Sequence, residues 1–313
     1  MLLNLAAFLV FMFVLVKSAN YAIKYSSRLA KIFHLSEFVV SFFIVAIISV
    51  FPEATISIIS AIKGIPEFGL GTLLGSNVAD LTLVFGIVTL FSMKGIRVKS
   101  EILKRDFFYL ALLLLPIIFG LNGNYSRVEG VILILGGCFF FFTLSIESRM
   151  FRRKFNHTKD KSSYKNFFLL ILSLAFLIIS AHFAVEFGVR FANEIKIPPI
   201  LVGLTMVSIG TCLPELFFSL KSIKMNHEGL ALGDILGTVI TDATIIVGIL
   251  ALIQPFSFDP IRIYVTGSAM FLGGALVILF MRSGRILAKK EGIFLLMFYI
   301  LFLIVEFMIS NAH

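Results

Sequence analysis

Ten long apolar runs, separated by short charged or Gly/Pro-containing segments, leave this chain few folds to choose from. They span 2–26, 37–62, 69–93, 105–122, 126–148, 166–191, 198–222, 229–254, 262–281 and 291–311. About 20 apolar residues in a helix match the hydrocarbon thickness of a bilayer. A helix also satisfies its own backbone polar groups, as lipid requires. The expected fold is therefore an all-α polytopic membrane protein with ten transmembrane helices. A soluble enzyme is excluded, because no soluble core needs a 59% apolar chain with only 14% charged residues. Disorder is excluded on the same ground. The first lysine, Lys17, follows the N-terminal apolar stretch, the reverse of a cleaved signal peptide, so this run reads as the first membrane helix. Cys138 and Cys212 both lie in apolar runs and form no disulfide framework or CxxC site.

The net charge of +9 would suggest a nucleic-acid partner in a soluble protein, but across ten spans it reads first as orientation. With the N-terminus outside, inner segments hold 22 Lys and Arg and outer segments hold 5, namely Lys63, Arg127, Arg190, Lys196 and Arg262. Both termini are then expected outside the cell membrane. The longest connection, the basic stretch 149–165, divides the chain into halves of five spans, 1–148 and 166–313. That loop reads as a cytoplasmic orientation signal.

The halves repeat. VFPEATISIIS from Val50 aligns with CLPELFFSLKS from Cys212, and LGTLLGSNVADLTLVFGI from Leu70 aligns with LGDILGTVITDATIIVGI from Leu232. One offset of 162 residues serves both without a gap. The identities include Pro52/Pro214, Glu53/Glu215, Ser57/Ser219, Gly71/Gly233, Gly75/Gly237, Asp80/Asp242 and Thr82/Thr244. Chance likeness between apolar helices would match Leu and Ile, not Pro, Gly and acids in register. Copies five spans apart face opposite ways across the membrane, so the expected arrangement is an inverted repeat, an architecture of secondary transporters.

Glu53, Asp80, Glu215 and Asp242 all fall inside the apolar runs. A charge at mid-bilayer costs about 3 kcal/mol even on insertion scales, so four at symmetry-related positions point to function. Each glutamate follows a proline, whose missing N–H frees a carbonyl one turn earlier. Thr72, Ser76 and Asp80 share a helix face, as do Asp234, Thr238 and Asp242. Carboxylates, hydroxyls and freed carbonyls are hard donors, suited to calcium, sodium or protons rather than copper or zinc. Four ionised carboxylates exceed the charge of one divalent cation. Either several monovalent cations occupy the site in turn or some acids carry protons. An empty, fully charged site resists crossing the membrane, which is the physical basis of obligatory exchange. The glycines four residues apart, Gly71/Gly75 and Gly233/Gly237, read as close helix packing.

These motifs resemble a known family. GTCLPE (210–215) with GDILGTVITD (233–242), and ISVFPE (48–53) with GTLLGSNVAD (71–80), resemble the repeats of the calcium/cation antiporter superfamily, in its prokaryotic sodium/calcium exchanger branch. The resemblance implies a central site of Glu53, Asp80, Glu215 and Asp242. It implies that Ser49, Ser76, Thr211 and Thr238, with backbone carbonyls near Ala46 and Ser208, help to bind the ions. It implies that spans one and six slide over the other eight to alternate access. The chain departs from the pattern in two ways. Ile48, Ser49 and Val50 stand where the family has Gly-Thr-Ser, and Cys212 replaces the serine in the second repeat. Both Asn/Asp positions are aspartate. Fewer hydroxyls and an extra titratable acid weaken the case for three sodium sites and strengthen that for proton coupling.

The implied function is a secondary antiporter exporting Ca2+ in exchange for Na+, with a Ca2+/H+ exchanger as the alternative. It uses no cofactor, its partners are inorganic cations and the lipid bilayer, and it is not an enzyme. Its expected location is the plasma membrane, and its oligomeric state is left open, a monomer included. An intramembrane aspartyl protease is disfavoured because GLALGD (229–234) has Ala231 where a GxGD motif needs glycine. A channel is disfavoured because the repeat suits alternating access. Asp234, about 12 Å from Asp242 at 1.5 Å per residue, is expected to line the inner access path, against the reading of a solvated helix start. His182, Glu186 and Arg190 form a stripe read as an amphipathic helix end, or alternatively as part of the sliding surface. Glu306 has no visible partner in the sequence.

Overall fold

Where the apolar runs are described, they are helices. The computed structural model describes residues 2–32, 49–92, 95–97, 106–148, 163–224, 228–283 and 286–312. Helix α1 is Leu2–Ile32 and α2 is Phe51–Ile62. Helix α3, Pro66–Ala79, continues through a π-helical segment, Asp80–Val84, into α4, Phe85–Phe91. Then come α5 (Asp106–Gly120), α6 (Arg127–Ser148) and α7 (Ser163–Glu194). Helices α8 (Pro199–Val202) and α9 (Ser208–Thr211) flank a second π segment, Gly203–Val207, and α10 is Leu213–Lys224. Helices α11 (Glu228–Ile240) and α12 (Val247–Ile253) flank a third, Thr241–Ile246. Helices α13 (Pro260–Arg262) and α14 (Ser268–Arg282) flank a fourth, Ile263–Gly267, and α15 is Lys289–Ala312. Among the described residues six helical stretches are long and apolar enough to cross a membrane, and three apolar helices are shorter. The basic loop expected at 149–165 ends earlier, because Ser163, Tyr164 and Lys165 already belong to α7; residues 149–162 lie outside the described set.

Proline and glycine set the helix ends. Pro66, Pro199 and Pro260 each open a helix, where a missing N–H costs nothing. Helix α2 ends at Gly64, whose φ of 75° only glycine adopts freely. Gly64 N–H donates to Ala61 (3.0 Å) and Ile65 N–H to Ser60 (2.9 Å), closing a Schellman turn that swings the chain into α3.

The polarity is inside out. Leu3, Phe13, Phe107, Phe168, Met297 and Met308 are exposed, whereas Glu53, Asp80, Glu215, Asp234 and Asp242 are buried. Lipid is the solvent that permits this, and the chain is a membrane protein. Two apolar clusters fill the interior. The larger draws on α2 to α6, α11, α12, α14 and α15, with Leu216, Leu220 and Ile223 of α10 packed against it. The smaller places Phe8, Met12 and Leu15 of α1 with Ala181, Ala184 and Val185 of α7 against Ile56, Phe68 and Val207. Phe11 stacks on Phe183 with centroids 4.7 Å apart, so α1 and α7 pair with each other and pack together on α2, α3 and the second π segment.

Two short antiparallel ladders, not anticipated from the sequence, join loops of the two halves. Ile96–Arg97 pairs with Ile286–Leu287, and Asn124–Tyr125 with Phe256–Ser257. Adding the offset of 162 to 124–125 gives 286–287, and to 96–97 gives 258–259, two residues from the observed strand. Each ladder is thus close to the other with its halves exchanged.

The glycines of α3 act as expected. A Cβ at Gly71 would collide with the carbonyl of Ile200, and one at Gly75 with that of Leu204, so α3 lies backbone to backbone on α8 and its π segment. Gly75→Ala is expected to destabilise the fold by about 1–3 kcal/mol through overpacking. Thermal unfolding in detergent checks this, and an unchanged midpoint would contradict the packing described.

Candidate cation-binding site

The site is built on two helix breaks and two widened helix turns. Ala54 N–H donates to Val50 (2.9 Å) and, 162 residues later, Leu216 N–H donates to Cys212 (3.0 Å). Both bonds close the first turn beyond a break and set Glu53 and Glu215 at the start of α2 and α10. Pro52 and Pro214 stand just before them. The Gly210 carbonyl consequently receives no bond from residue 214.

Asp80 is the first residue of one π segment, and Asp242 is the second of another. Such one-turn widenings occur often at functional sites. The same hydroxyl stands in both. Thr82 donates to the carbonyl of Val78 (2.5 Å) and its repeat mate Thr244 to that of Ile240 (2.6 Å). Back-bonding of this kind competes with the helical ladder and helps it bend.

The four acids are fully buried and underpartnered. All show 0% exposure. Among the described residues, seven of their eight carboxylate oxygens have no hydrogen-bond partner. The eighth, Asp242 Oδ2, accepts from Ser76 Oγ at 3.3 Å. Their charges interact, since Asp80, Glu215 and Asp242 each feel Glu53. No basic side chain among the described residues neutralises any of them. The described residues hold no cluster of three His, Cys, Asp or Glu side chains tight enough to bind one metal ion. A cation here would therefore share carboxylates with hydroxyl and carbonyl oxygens.

Those oxygens are at hand. Ser49, Ser76, Thr211, Thr238 and Ser208 are all buried. Ser49 lies 3.0 Å from Thr238, so hydroxyls from the two repeats meet. Thr211 instead turns back to donate to Ser208 at 3.1 Å, and Ser208 to Leu204 at 2.5 Å. Ala46 lies outside the described residues. The Cys212 thiol donates to the carbonyl of Ser76 at 3.5 Å and feels the charges of Asp80, Glu53 and Glu215. Asp234 is not a solvated helix start, because it is 0% exposed and accepts from Ser49 at 3.1 Å.

Two polar groups outside the site now have partners. Glu306 accepts from Arg262 Nη1 at 2.7 Å and from Thr266 at 3.3 Å. Arg262, counted among the outer charges, is only 4% exposed. The 44-residue separation on two different runs hid this pair. Glu186 gathers Arg190 at 2.6 Å and Lys63 at 3.6 Å, while Lys63 also donates to the carbonyl of His182 at 3.0 Å. The stripe thus ties α7 to the end of α2 through part-exposed groups, each pair worth at most about 1 kcal/mol.

Comparison with known proteins gives the chain its relatives. The family model described as sodium/calcium exchanger protein matches residues 3–145 and 165–308. The chain is 29% identical to the sodium/calcium exchanger MaX1 of Methanosarcina acetivorans, over 94% of this chain and 96% of that one. It is 30% identical to the putative antiporter CaxA of Alkalimonas amylolytica, over 93% and 95%. Its fold matches a solved structure of the sodium-calcium exchanger NCX_Mj with a TM-score of 0.69, covering 96% and 97% of the two chains at 24% identity.

Proposed function

Because the chain belongs to the sodium/calcium exchanger family, we propose that it exports Ca2+ in exchange for Na+ by alternating access at Glu53, Asp80, Glu215 and Asp242. It is a membrane cation exchanger and not an enzyme. The observation that carries the finer reading is the set of seven fully buried carboxylate oxygens without a partner among the described residues. Left ionised and unpaired, such groups cost several kcal/mol each. A cargo of cations removes that cost, and a return without cargo restores it. Exchange rather than leak follows. Ser49, Ser76, Thr211 and Thr238 complete the shells with hard oxygens.

Inverted five-span halves, with both termini outside the plasma membrane, fit the exchanged ladders and the matching breaks and π segments. The pairing of α1 with α7, in a cluster distinct from the larger core, fits a pair that slides over the remaining helices. Asp234, buried in this conformation, would line the inner path as that pair shifts.

A second reading, exchange of Ca2+ for protons, draws on particular residues. Val50 and Cys212 remove hydroxyls suited to Na+, and two aspartates add proton acceptors. Purified protein in calcium-free liposomes separates the two. Ca2+ uptake is expected under an outward Na+ gradient and to survive a protonophore. Uptake that ignores Na+ and collapses with the protonophore would move the assignment to protons. No Ca2+ flux under either gradient would overturn both.

A further inference from the structure

We propose that Asp234, Ser49 and Thr238 form an additional, one-sided binding station for Na+ adjoining the four central carboxylates, an inference that rests on the chain's being a Na+-coupled exchanger. Asp234 projects from α11 and is 0% exposed. Its Oδ1 accepts from Ser49 Oγ at 3.1 Å, and its Oδ2 has no hydrogen-bond partner among the described residues. Among the described residues no Lys, Arg or His pairs with it. Ser49 Oγ thus lies between Asp234 and Thr238, 3.0 Å from the Thr238 hydroxyl, and either hydroxyl can donate in that contact. One carboxylate and two hydroxyls, carried by segments far apart in sequence, converge in the protein interior with an acceptor to spare.

The repeat shows that this is not simply a consequence of the fold. The offset of 162 maps Ser49, Asp234 and Thr238 onto Thr211, Thr72 and Ser76. In that set Thr72 donates to its own helix at Phe68 (3.0 Å), and Thr211 does likewise at Ser208 (3.1 Å). Packing is satisfied there by a neutral threonine. The buried acid Asp234 stands in one repeat only, and burial of a charge with no basic partner among the described residues needs a reason. Charge selects the ligand. One Na+ matches the single carboxylate of Asp234, whereas Ca2+ is matched better among the four central carboxylates. The donors are hard oxygens, as Na+ requires. Because Glu53, Asp80 and Glu215 feel the charge of Asp234, Na+ here would be linked to what the central site holds.

The test counts ions on the purified full chain by equilibrium dialysis with radiolabelled Na+, and separately with radiolabelled Ca2+ in the absence of Na+. Asp234→Asn is expected to bind one Na+ fewer per chain than the wild type while binding Ca2+ to within about twofold, a difference of under 0.5 kcal/mol. Asp234→Thr, which introduces the side chain already accommodated at the repeat-related position, should do the same and guards against a folding defect in the first variant. Equal Na+ counts in wild type and variants would overturn the station. Loss of Ca2+ together with Na+ in both variants would also overturn it, by making Asp234 part of the central site. A wild type that binds no Ca2+ would count against the central carboxylates, and one that binds Ca2+ but no Na+ against the station.

Discussion

Glu53→Gln and Glu215→Gln are each expected to reduce Ca2+ transport at least a hundredfold while leaving the protein folded. Both side chains are fully buried, with neither oxygen hydrogen-bonded among the described residues. An amide keeps the shape but removes a full charge from a desolvated cation shell. A loss of about 3 kcal/mol in cation binding is modest for such a site and already corresponds to about a hundredfold. The effect on folding has the opposite sign. Without cations the four acids repel one another and none has a basic partner among the described residues, so replacing one relieves repulsion and burial cost together. The variants should therefore unfold at a temperature equal to or above that of the wild type in cation-free buffer, and gain less on addition of Ca2+. Liposome uptake paired with thermal unfolding measures both. Transport retained in either variant would remove that glutamate from the site. Transport lost together with a lowered unfolding temperature would mean that the glutamate serves folding instead.

The pairing of Glu53 with Glu215 and of Asp80 with Asp242 was legible because Pro, Gly and acids in register at one offset have no other ready cause in apolar helices. Helix breaks at Pro52 and Pro214 were legible because a missing N–H acts locally. Close approach through Gly71 and Gly75 was legible from small-residue spacing. The π segments that carry Asp80 and Asp242 were not. One extra residue in a turn depends on tertiary packing and on a hydroxyl such as Thr82 finding the right carbonyl, and apolar periodicity records neither. Asp234 sits on the same helical face as Thr238 and Asp242, which the spacing gave away. That its partner would be Ser49, 185 residues distant, needed the folded chain. The same holds for Glu306. A count of inner and outer positive charges treats every arginine as solvated, and Arg262 is a buried exception.

That exception leads to the second large effect. Glu306→Gln is expected to destabilise the protein by about 3–5 kcal/mol, because it strands Arg262 inside the bundle without a counter-ion. Arg262 and Glu306 have side-chain exposures of 5% and 1% and meet at 2.7 Å. Thr266, in the π segment Ile263–Gly267, adds its hydroxyl to the same carboxylate, so the pair holds that widened turn against α15. The pair itself need not be strongly stabilising, since desolvation offsets much of its attraction. The double variant Arg262→Met with Glu306→Leu should therefore recover most of the stability that either single change removes. Chemical unfolding of the wild type, both single variants and the double variant in detergent gives the coupling energy directly. Additive losses would mean that the two groups act independently, and an unchanged Glu306→Gln would mean that the charge on Arg262 finds water. Glu306 also lines a small cavity with Thr205 and Met206, in the π segment that runs into Ser208. If the double variant folds like the wild type yet transports Ca2+ more slowly, the pair does more than hold α13 to α15. It then sets the position of the segment that delivers Ser208 to the cation site.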